Sequence, residues 1–147
     1  MSNLERLEDW ATPLLQKLDA GERRKLAVQL ARKLRQSQQQ RIKDQKNPDG
    51  SEYAPRRAQE KTGRIRRRAM FMKLRQNRYL KAQGNTHEVT VGFVGRVSRL
   101  ARVHQEGLRD RVRRNGPEVR YEQRQLLGYS AEDEAMIMDM LMEHLGQ

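Results

Sequence analysis

The sequence predicts a small α+β fold, with N-terminal helices that include one long helix, a small antiparallel sheet with a central hairpin, a short helix and a C-terminal helix. Apolar residues recur at three- and four-residue steps near both ends of the chain, as in amphipathic helices. Residues 79–94 instead have β-rich composition around a Gly-Asn turn. A length of 147 residues fits one domain, which we divide into a helical arm, residues 1–46, and an α+β body, residues 47–147.

Two helices are expected before residue 47. The first covers residues 4–18, and Pro13 either kinks it or starts a new turn capped by Thr12. The second begins at Asp19, because Asp19 and Glu22 form a capping-box pattern. It extends towards Asn47 and would be near ~40 Å long. A thin core cannot cover such a helix, so part of it is expected to project or to pack on another subunit.

The stretch after the long helix is predicted to turn and then to become helical again. Asn47-Pro48-Asp49-Gly50 favours a tight turn, with Gly50 in a backbone geometry that is costly for other residues. Helix-forming residues return from position 56 to about position 78. The predicted apolar face of this third helix consists of Ile65, Ala69 and Met72.

The rest of the chain alternates strands and helices. Residues 79–82 and 87–94 predict an antiparallel hairpin. Residues 97–104 have helical spacing, with Gly107 as the stop, and residues 118–121 predict a third strand. Ser130 caps a final helix whose first turn is acidic, which suits the helix dipole. One face of that helix consists of Met138, Leu141, Met142 and Leu145.

The charge pattern predicts a protein that works inside a complex. The formal charge is +12, and like-charge repulsion of this size opposes compaction unless a partner offsets it. Leu, Ile, Val and Phe together number 29 of 147, so the core must be thin. Residues 22–81 carry a net charge of +15, whereas residues 125–147 carry −5. The acidic C-terminal element can therefore meet a basic surface, either on a neighbouring subunit or within one chain.

No pattern indicates catalysis, a metal or a cofactor. The chain has no cysteine, which excludes a disulfide scaffold and thiolate chemistry. The three histidines are far apart, and no serine has a nucleophile-elbow pattern. The N-terminus lacks a signal-peptide pattern and no apolar run approaches the length of a transmembrane helix. We therefore expect a soluble, non-secreted protein with no enzymatic activity, no metal, no cofactor and no membrane partner.

Two groups of side chains are candidate contact sites. The densest basic cluster is a candidate contact for DNA phosphates or for a protein partner, although it also fits a solvated helix face. Its members are Arg64, Arg66, Arg67, Arg68, Lys73 and Arg75. Aromatic residues are few, so contact with nucleic acid would be nonspecific. The C-terminal stripe is a candidate subunit interface because Met adapts to varied shapes, and core packing of its methionines is the alternative. This stripe consists of Met138, Leu141, Met142 and Leu145.

Two short motifs are predicted to be structural. His104-Gln105-Glu106-Gly107 invites a catalytic interpretation, but the chain offers no nucleophile with a supporting pattern. We expect His104 to close the short helix, to be buried in its neutral form and to make one hydrogen bond. The predicted structural residues are Pro48, Asp49, Gly50, His104, Gln105 and Gly107.

The ordered set of motifs resembles the phage virion morphogenesis family over roughly residues 14–147. The motifs are residues 41–50, Tyr53-Ala54-Pro55-Arg56, residues 70–75, Val91-Gly92-Phe93, residues 102–107, and Tyr121 with residues 124–128. The resemblance implies a structural assembly protein that completes or caps the head-proximal end of a phage tail for head–tail joining. It also implies a location in the virion tail or neck after assembly in the host cytoplasm.

The implied partners are phage tail tube and neck proteins and further copies of the chain, in a ring that matches the sixfold tail tube. Such a ring would lie near the DNA path, which gives a reason for the basic middle of the chain. The alternative function, from another class, is a small basic protein that contacts DNA phosphates nonspecifically. The salt dependence of binding distinguishes the two functions. Affinity for DNA phosphates falls steeply as the salt concentration rises, whereas a ring held by apolar contacts persists.

Overall fold

The computed structural model describes residues 16–55, 59–61, 64–66, 69–111 and 115–145. This part of the chain contains three helices and three two-stranded sheets, which confirms the α+β class. The helices are α1 (Ala20–Lys43), α2 (Val97–Glu106) and α3 (Ala131–Leu145). The strands are β1 (Gln59–Lys61), β2 (Arg64–Arg66), β3 (Leu80–Gly84), β4 (Val89–Phe93), β5 (Arg109–Arg111) and β6 (Glu118–Arg120). The helix predicted for residues 4–18 lies almost entirely outside the described residues.

The described chain forms two compact units. The first unit takes residues 16–37, 81–92 and 129–145, and the second takes the described residues of 38–80 and 93–128. The predicted division into an arm and a body at residue 46 stays a prediction.

Helix α1 begins where its capping pattern predicts. The amide of Glu22 donates to Asp19 Oδ1 at 2.8 Å, which satisfies one of the amides that a helix start leaves unpaired. Its 24 residues correspond to about 36 Å. The helix ends at Lys43, and Gln45 follows it with a left-handed φ of 59°. The predicted long helix is therefore confirmed, and it ends four residues before Asn47.

The core of the first unit lies between α1, α3 and the β3–β4 hairpin. Buried leucines at three- and four-residue steps on α1 pack with two residues of α3, and side chains of β4 cover the cluster. The buried members are Leu26, Leu30, Leu34, Ile137 and Leu141. The hairpin comes close to α1 at Gly84, where a Cβ atom would lie 2.5 Å from the carbonyl carbon of Ala27. Only glycine fits this approach.

Helix α3 starts at the predicted cap. The amide of Asp133 donates to Ser130 Oγ at 3.1 Å, and the amide of Ser130 donates to Asp133 Oδ2 at 3.0 Å, so each side chain satisfies the other residue's amide. The hydroxyl of Ser37, on α1, donates to Asp133 Oδ1. Asp133 is only 1% exposed, and this cap therefore also fixes the start of α3 against α1.

The second unit has its own core, formed by Ile42, Tyr53, Leu74, Ala101 and Leu126. Helix α2 ends at Gly107, whose φ of 66° is left-handed and whose amide donates to the carbonyl of Val103, as the sequence predicts. The predicted strand at residues 118–121 is β6, which pairs antiparallel with β5. Strand β5 is not predicted from the sequence, since Arg109-Asp110-Arg111 carries no apolar alternation.

The third helix predicted for residues 56–78 is wrong. Gln59–Lys61 and Arg64–Arg66 instead form an antiparallel pair, with Glu60 opposite Ile65, and residues 72–79 form turns. Phe71 adopts a left-handed φ of 67°, which interrupts any helix. The apolar spacing of Ile65, Ala69 and Met72 is therefore not a helix face.

The turn after α1 supports the prediction for Gly50. The amide of Gly50 donates to the carbonyl of Asn47, and Asp49 Oδ1 accepts from the amide of Ser51 at 2.8 Å. Hydrogen bonds from the Ser51 hydroxyl and amide lower the pKa of the exposed Asp49 carboxyl. Gly50 itself has a φ of 90°, a conformation that side chains disfavour.

Replacing Gly50 is expected to cost stability through backbone strain alone, because a Cβ at this position meets no atom within 4 Å. We expect Gly50→Val to lower the free energy of unfolding by about 1–2 kcal/mol, measured by urea titration. Gly50→Asn is the control, since Asn tolerates left-handed backbone better, and it should lose less. Equal losses in both variants would contradict the strain explanation.

Candidate functional site

The motifs predicted to be structural meet in the second unit around one irregular segment. This segment, residues 124–128, is called the strap here; it forms neither helix nor strand. Leu126 is fully buried at its centre and belongs to the core of the unit. A buried backbone without a regular ladder must find hydrogen-bond partners elsewhere. In the strap, most of these partners are side chains.

Gln105 holds the middle of the strap. Its Oε1 accepts from the amides of Leu126 and Leu127 at 2.7 and 2.9 Å, and its Nε2 donates to the carbonyl of Leu127 at 2.8 Å. Gln105 lies on α2, and its side-chain amide hydrogen-bonds the strap as the backbone of a neighbouring β-strand would. The backbone of the neighbouring His104 adds a fourth bond, since its carbonyl accepts from the amide of Arg124 at 2.8 Å.

The opposite side of the strap is held by the end of α1. Arg41 is 9% exposed, and its guanidinium donates to the carbonyls of Gln125, Leu126 and Lys46 at 2.9–3.1 Å. Gln38 lies one turn earlier, where its Oε1 accepts from the amide of Gly128 at 3.1 Å and from Arg41. The fork of a buried guanidinium suits several carbonyl oxygens at once.

The turn after α1 and the chain that follows it complete the site. Asn47 Oδ1 accepts from the amide of Gln125 at 2.9 Å, and the Tyr53 hydroxyl donates to the Gln125 carbonyl at 2.8 Å. In return, the Arg124 side chain donates to the carbonyls of Ala54 and Pro55 at 2.9 and 3.1 Å. These bonds bring residues 41–55, 102–107 and 124–128 together at one site.

Two glycines permit the close packing of this site. A Cβ at Gly128 would lie 2.5 Å from Pro48 Cγ, and a Cβ at Gly107 would lie 3.2 Å from the backbone of Gln123. Pro48 and Gly107, both predicted as structural residues, therefore lie on the two ends of the strap. Asp49 and Gly50 shape the adjoining turn instead.

His104 lies in a row of rings beneath the strap. Its imidazole is edge-on to Phe71 at 4.7 Å and to Tyr121 at 4.9 Å between ring centroids, and Phe71 also packs edge-on against Tyr53. Burial first, and the positive charge of Arg124 second, lower the pKa of His104 from 6.5 to about 4. The neutral form predicted from the sequence is therefore favoured. Among the described residues, however, Nδ1 has no hydrogen-bond partner, so ring packing fixes this side chain.

The lowered pKa of His104 predicts a pH dependence of folding. The unfolded chain binds a proton near pH 6.5 and the folded chain only near pH 4, so the neutral imidazole stabilises the fold fully above pH 6.5. That contribution is lost as the pH falls towards 4, and we expect a loss of about 2 kcal/mol between pH 8 and pH 5. Urea titrations at both pH values measure it.

The His104→Gln variant is the control for this prediction, because its side chain keeps a similar reach but does not titrate. Its free energy of unfolding should fall less than that of the wild type over the same pH interval, by about 2 kcal/mol. Parallel losses in the two proteins would show that other groups cause the pH dependence.

The structure does not gather the predicted basic cluster into one described site. Arg64 and Arg66 lie in β2, and Arg67 and Arg68 lie outside the described residues. Lys73 is exposed and Arg75 is half-buried in the turns that follow. A contact between these residues and DNA or a partner stays a prediction.

The methionine–leucine stripe divides between core and surface. Leu141 is 3% exposed and packs inside the first unit, together with Ile137, which the predicted stripe omits. Met138 and Met142 are 42% and 58% exposed, and Leu145 is the last residue of α3. The role of the stripe as a subunit interface stays a prediction.

Four residues that bind the strap or belong to it have contacts there that were not predicted from the sequence: Gln38, Arg41, Tyr53 and Arg124. The sequence does contain a sign of the contacts made by Gln38 and Arg41. Gln38 and Arg41 continue the inner face of α1 that Leu34 and Ile42 share, so two polar residues occupy positions where the helical period places apolar ones. Polar side chains at such positions need buried hydrogen-bond partners.

The described part of the chain contains no group of three or more His, Asp or Glu side chains able to hold a metal ion. Among the helices of that part, none is long and apolar enough to cross a membrane.

Comparison with known proteins gives a consistent result. The model of the phage virion morphogenesis family matches residues 2–146. The chain is also 42% identical to the tail completion protein S of Escherichia phage P2, over 149 aligned residues that cover 99% of each chain. No solved structure matches the chain.

Proposed function

The chain belongs to the phage virion morphogenesis family and acts in phage tail assembly, and we propose that it completes or caps the head-proximal end of the tail for head–tail joining. It does so as a ring of six identical subunits, which matches the sixfold tail tube. Its partners in this proposal are tail tube and neck proteins, and its place is the tail or neck of the virion. The proposal contains no catalytic step and no cofactor.

The observation that carries the proposal is the similarity to a tail completion protein along 99% of both chains. The strap supports it, since residues 41–55, 102–107 and 124–128 carry the family resemblance and meet at this one site. Side chains of these segments hold backbone in place through hydrogen bonds. Such a site suits a subunit that must present a fixed surface to its neighbours.

The surface of the second unit also favours assembly. Val94, Leu100 and Leu108 are 41%, 45% and 37% exposed. Apolar side chains of this size gain stability when a partner covers them. A chain with a formal charge of +12 and few large apolar residues gains further from neighbours that bury apolar surface and supply negative charge.

The second candidate function is nonspecific binding of DNA phosphates. It is favoured by the exposed cations of α1, among them Lys25, Arg32 and Lys43, which lie on one side of the helix. As the main function, it requires affinity for duplex DNA that falls steeply with salt.

An in vitro complementation experiment tests the proposal. A phage genome that lacks the gene is induced, and the extract is supplied with the purified chain. We expect plaque-forming particles to appear on addition, and electron microscopy to show tails attached to heads. The Gln76→Leu variant, altered at an exposed residue, should act like the wild type. Joined particles in the unsupplied extract would overturn the proposal.

A further inference from the structure

We propose that the outer face of α3 in one copy of the chain binds the outer face of α1 in a second copy. This inference rests on the proposed ring and identifies the surfaces that join its subunits. It arises from two helix faces that carry opposite charge and that are exposed in the described part of the first unit.

The outer face of α3, called the acidic face here, combines two parallel stripes. One stripe is apolar and the other is acidic, and both lie away from the buried side chains of Ile137 and Leu141. The apolar stripe consists of Ala135, Met138 and Met142, and the acidic stripe consists of Glu132, Asp139 and Glu143. All six are exposed, and within the described residues none of the three acids forms an ion pair.

The outer face of α1, called the basic face here, lies opposite its buried leucines. Lys25, Arg32 and Gln36 are exposed and recur at steps that keep them on one side of the helix, and exposed Lys33 flanks them. The described part of the chain provides no carboxylate partner for Lys25, Arg32 or Lys33. Residues 20–37 of α1 carry one acidic side chain, Glu22, near the start of this face.

One copy cannot pair these two faces with each other. Leu26, Leu30 and Leu34 pack against Ile137 and Leu141, so α1 and α3 turn their inner sides together and their outer sides apart. The acidic face must therefore meet the basic face of another copy. A contact between two different surfaces is head-to-tail, and repeated contacts of this kind close into a ring when the rotation permits.

The chemistry of the two faces is complementary. Carboxylates of the acidic stripe would pair with the cations of the basic face, and the flexible methionines would pack along the aliphatic stems of Lys25 and Arg32. Duplex DNA could cover the basic face, but it would leave the acidic face without a partner. In a head-to-tail ring, neighbouring copies of the chain cover both faces. We therefore infer that the partner of each face is another copy of the chain.

Charge reversal tests this interface. One variant carries Asp139→Lys and Glu143→Lys on the acidic face, and the other carries Lys25→Glu and Arg32→Glu on the basic face. Sedimentation velocity without nucleic acid should show self-association at least about tenfold weaker in each variant, since like charges then meet at the contact. Mixing the two variants should restore assembly, because each altered face then meets an oppositely charged partner.

Matched controls carry the same charge changes at other exposed positions. Glu118→Lys with Glu122→Lys adds the same charge as the first variant, and Lys81→Glu with Arg96→Glu removes the same charge as the second. Both controls should assemble like the wild type. Far-ultraviolet circular dichroism and thermal melting establish that all four proteins remain folded, so that a loss of assembly is not a loss of folding.

Several results would overturn the inference. One is that both charge-reversal variants assemble to the same mass as the wild type, and another is that mixing them does not restore assembly. The inference also fails if the wild type stays monomeric at all accessible concentrations, or if it gains mass only when duplex DNA is added. The complementation experiment distinguishes this failure from failure of the proposed function. A wild type that restores particles while any of these results holds would retain the function and lose this interface.

Discussion

The Gln105→Leu variant should lower the free energy of unfolding by about 4 kcal/mol, and it should unfold the second unit first. Leucine fills a similar volume but leaves the amides of Leu126 and Leu127 and the carbonyl of Leu127 without their present partners. An unpaired buried polar group costs about 1–3 kcal/mol, and three such groups share this one side chain. Urea titration followed by tyrosine fluorescence measures the loss.

The matched control for this prediction is Gln76→Leu, because Gln76 is exposed in the same unit. It should change stability by no more than about 0.5 kcal/mol. Gln105→Glu is informative as well, since it keeps the acceptor for two amides and replaces the donor to Leu127 with an acceptor oxygen. It should therefore fall between the other two variants. A Gln105→Leu protein as stable as Gln76→Leu would contradict the role given to the strap.

The Gly84→Ala variant is expected to destabilise the first unit by about 3 kcal/mol, although it adds a single methyl group. That carbon would lie 2.5 Å from the carbonyl carbon of Ala27 and 2.6 Å from the amide nitrogen of Val28. Both atoms belong to helix backbone and cannot rotate away, so the hairpin must move from α1. Thermal melting followed by circular dichroism measures the effect.

Gly92→Ala makes the same chemical change on the other strand of the hairpin. A Cβ at Gly92 meets no atom within 4 Å, and we expect little change in melting temperature. If the two alanine variants had the same melting temperature, the close approach between hairpin and helix would not matter to stability.

Elements with local signals could be predicted from the sequence. Asp19 and Ser130 begin α1 and α3, and Gly107 ends α2, because caps and left-handed stops depend on residues a few positions apart. The β3–β4 hairpin followed from its composition and its turn. The paired strands β1 and β2 were predicted as helix, because the helical spacing of Ile65, Ala69 and Met72 is short and coincidental.

The strap could not be predicted in the same way. Gln105 lies 21 residues from Leu126 and Arg41 lies 85 residues from it, so no local pattern connects them. Gln105 was predicted as a structural residue from its motif, but its hydrogen-bond partners were not predicted. The sequence does show that Gln38 and Arg41 are polar residues at inward positions of α1. This polarity indicates buried hydrogen bonds but does not identify their partners.

The position of the strap in the chain also sets an order of events during synthesis. Leu126 completes the core of the second unit, and Ile137 and Leu141 complete that of the first, so both cores wait for residues beyond position 125. Until those residues leave the ribosome, the inner face of α1 has no final cover, and contacts this distant in sequence form slowly. We therefore expect the nascent chain to stay unfolded until Leu141 has left the ribosome. A subunit whose two cores both wait for these residues cannot begin to associate before they are made.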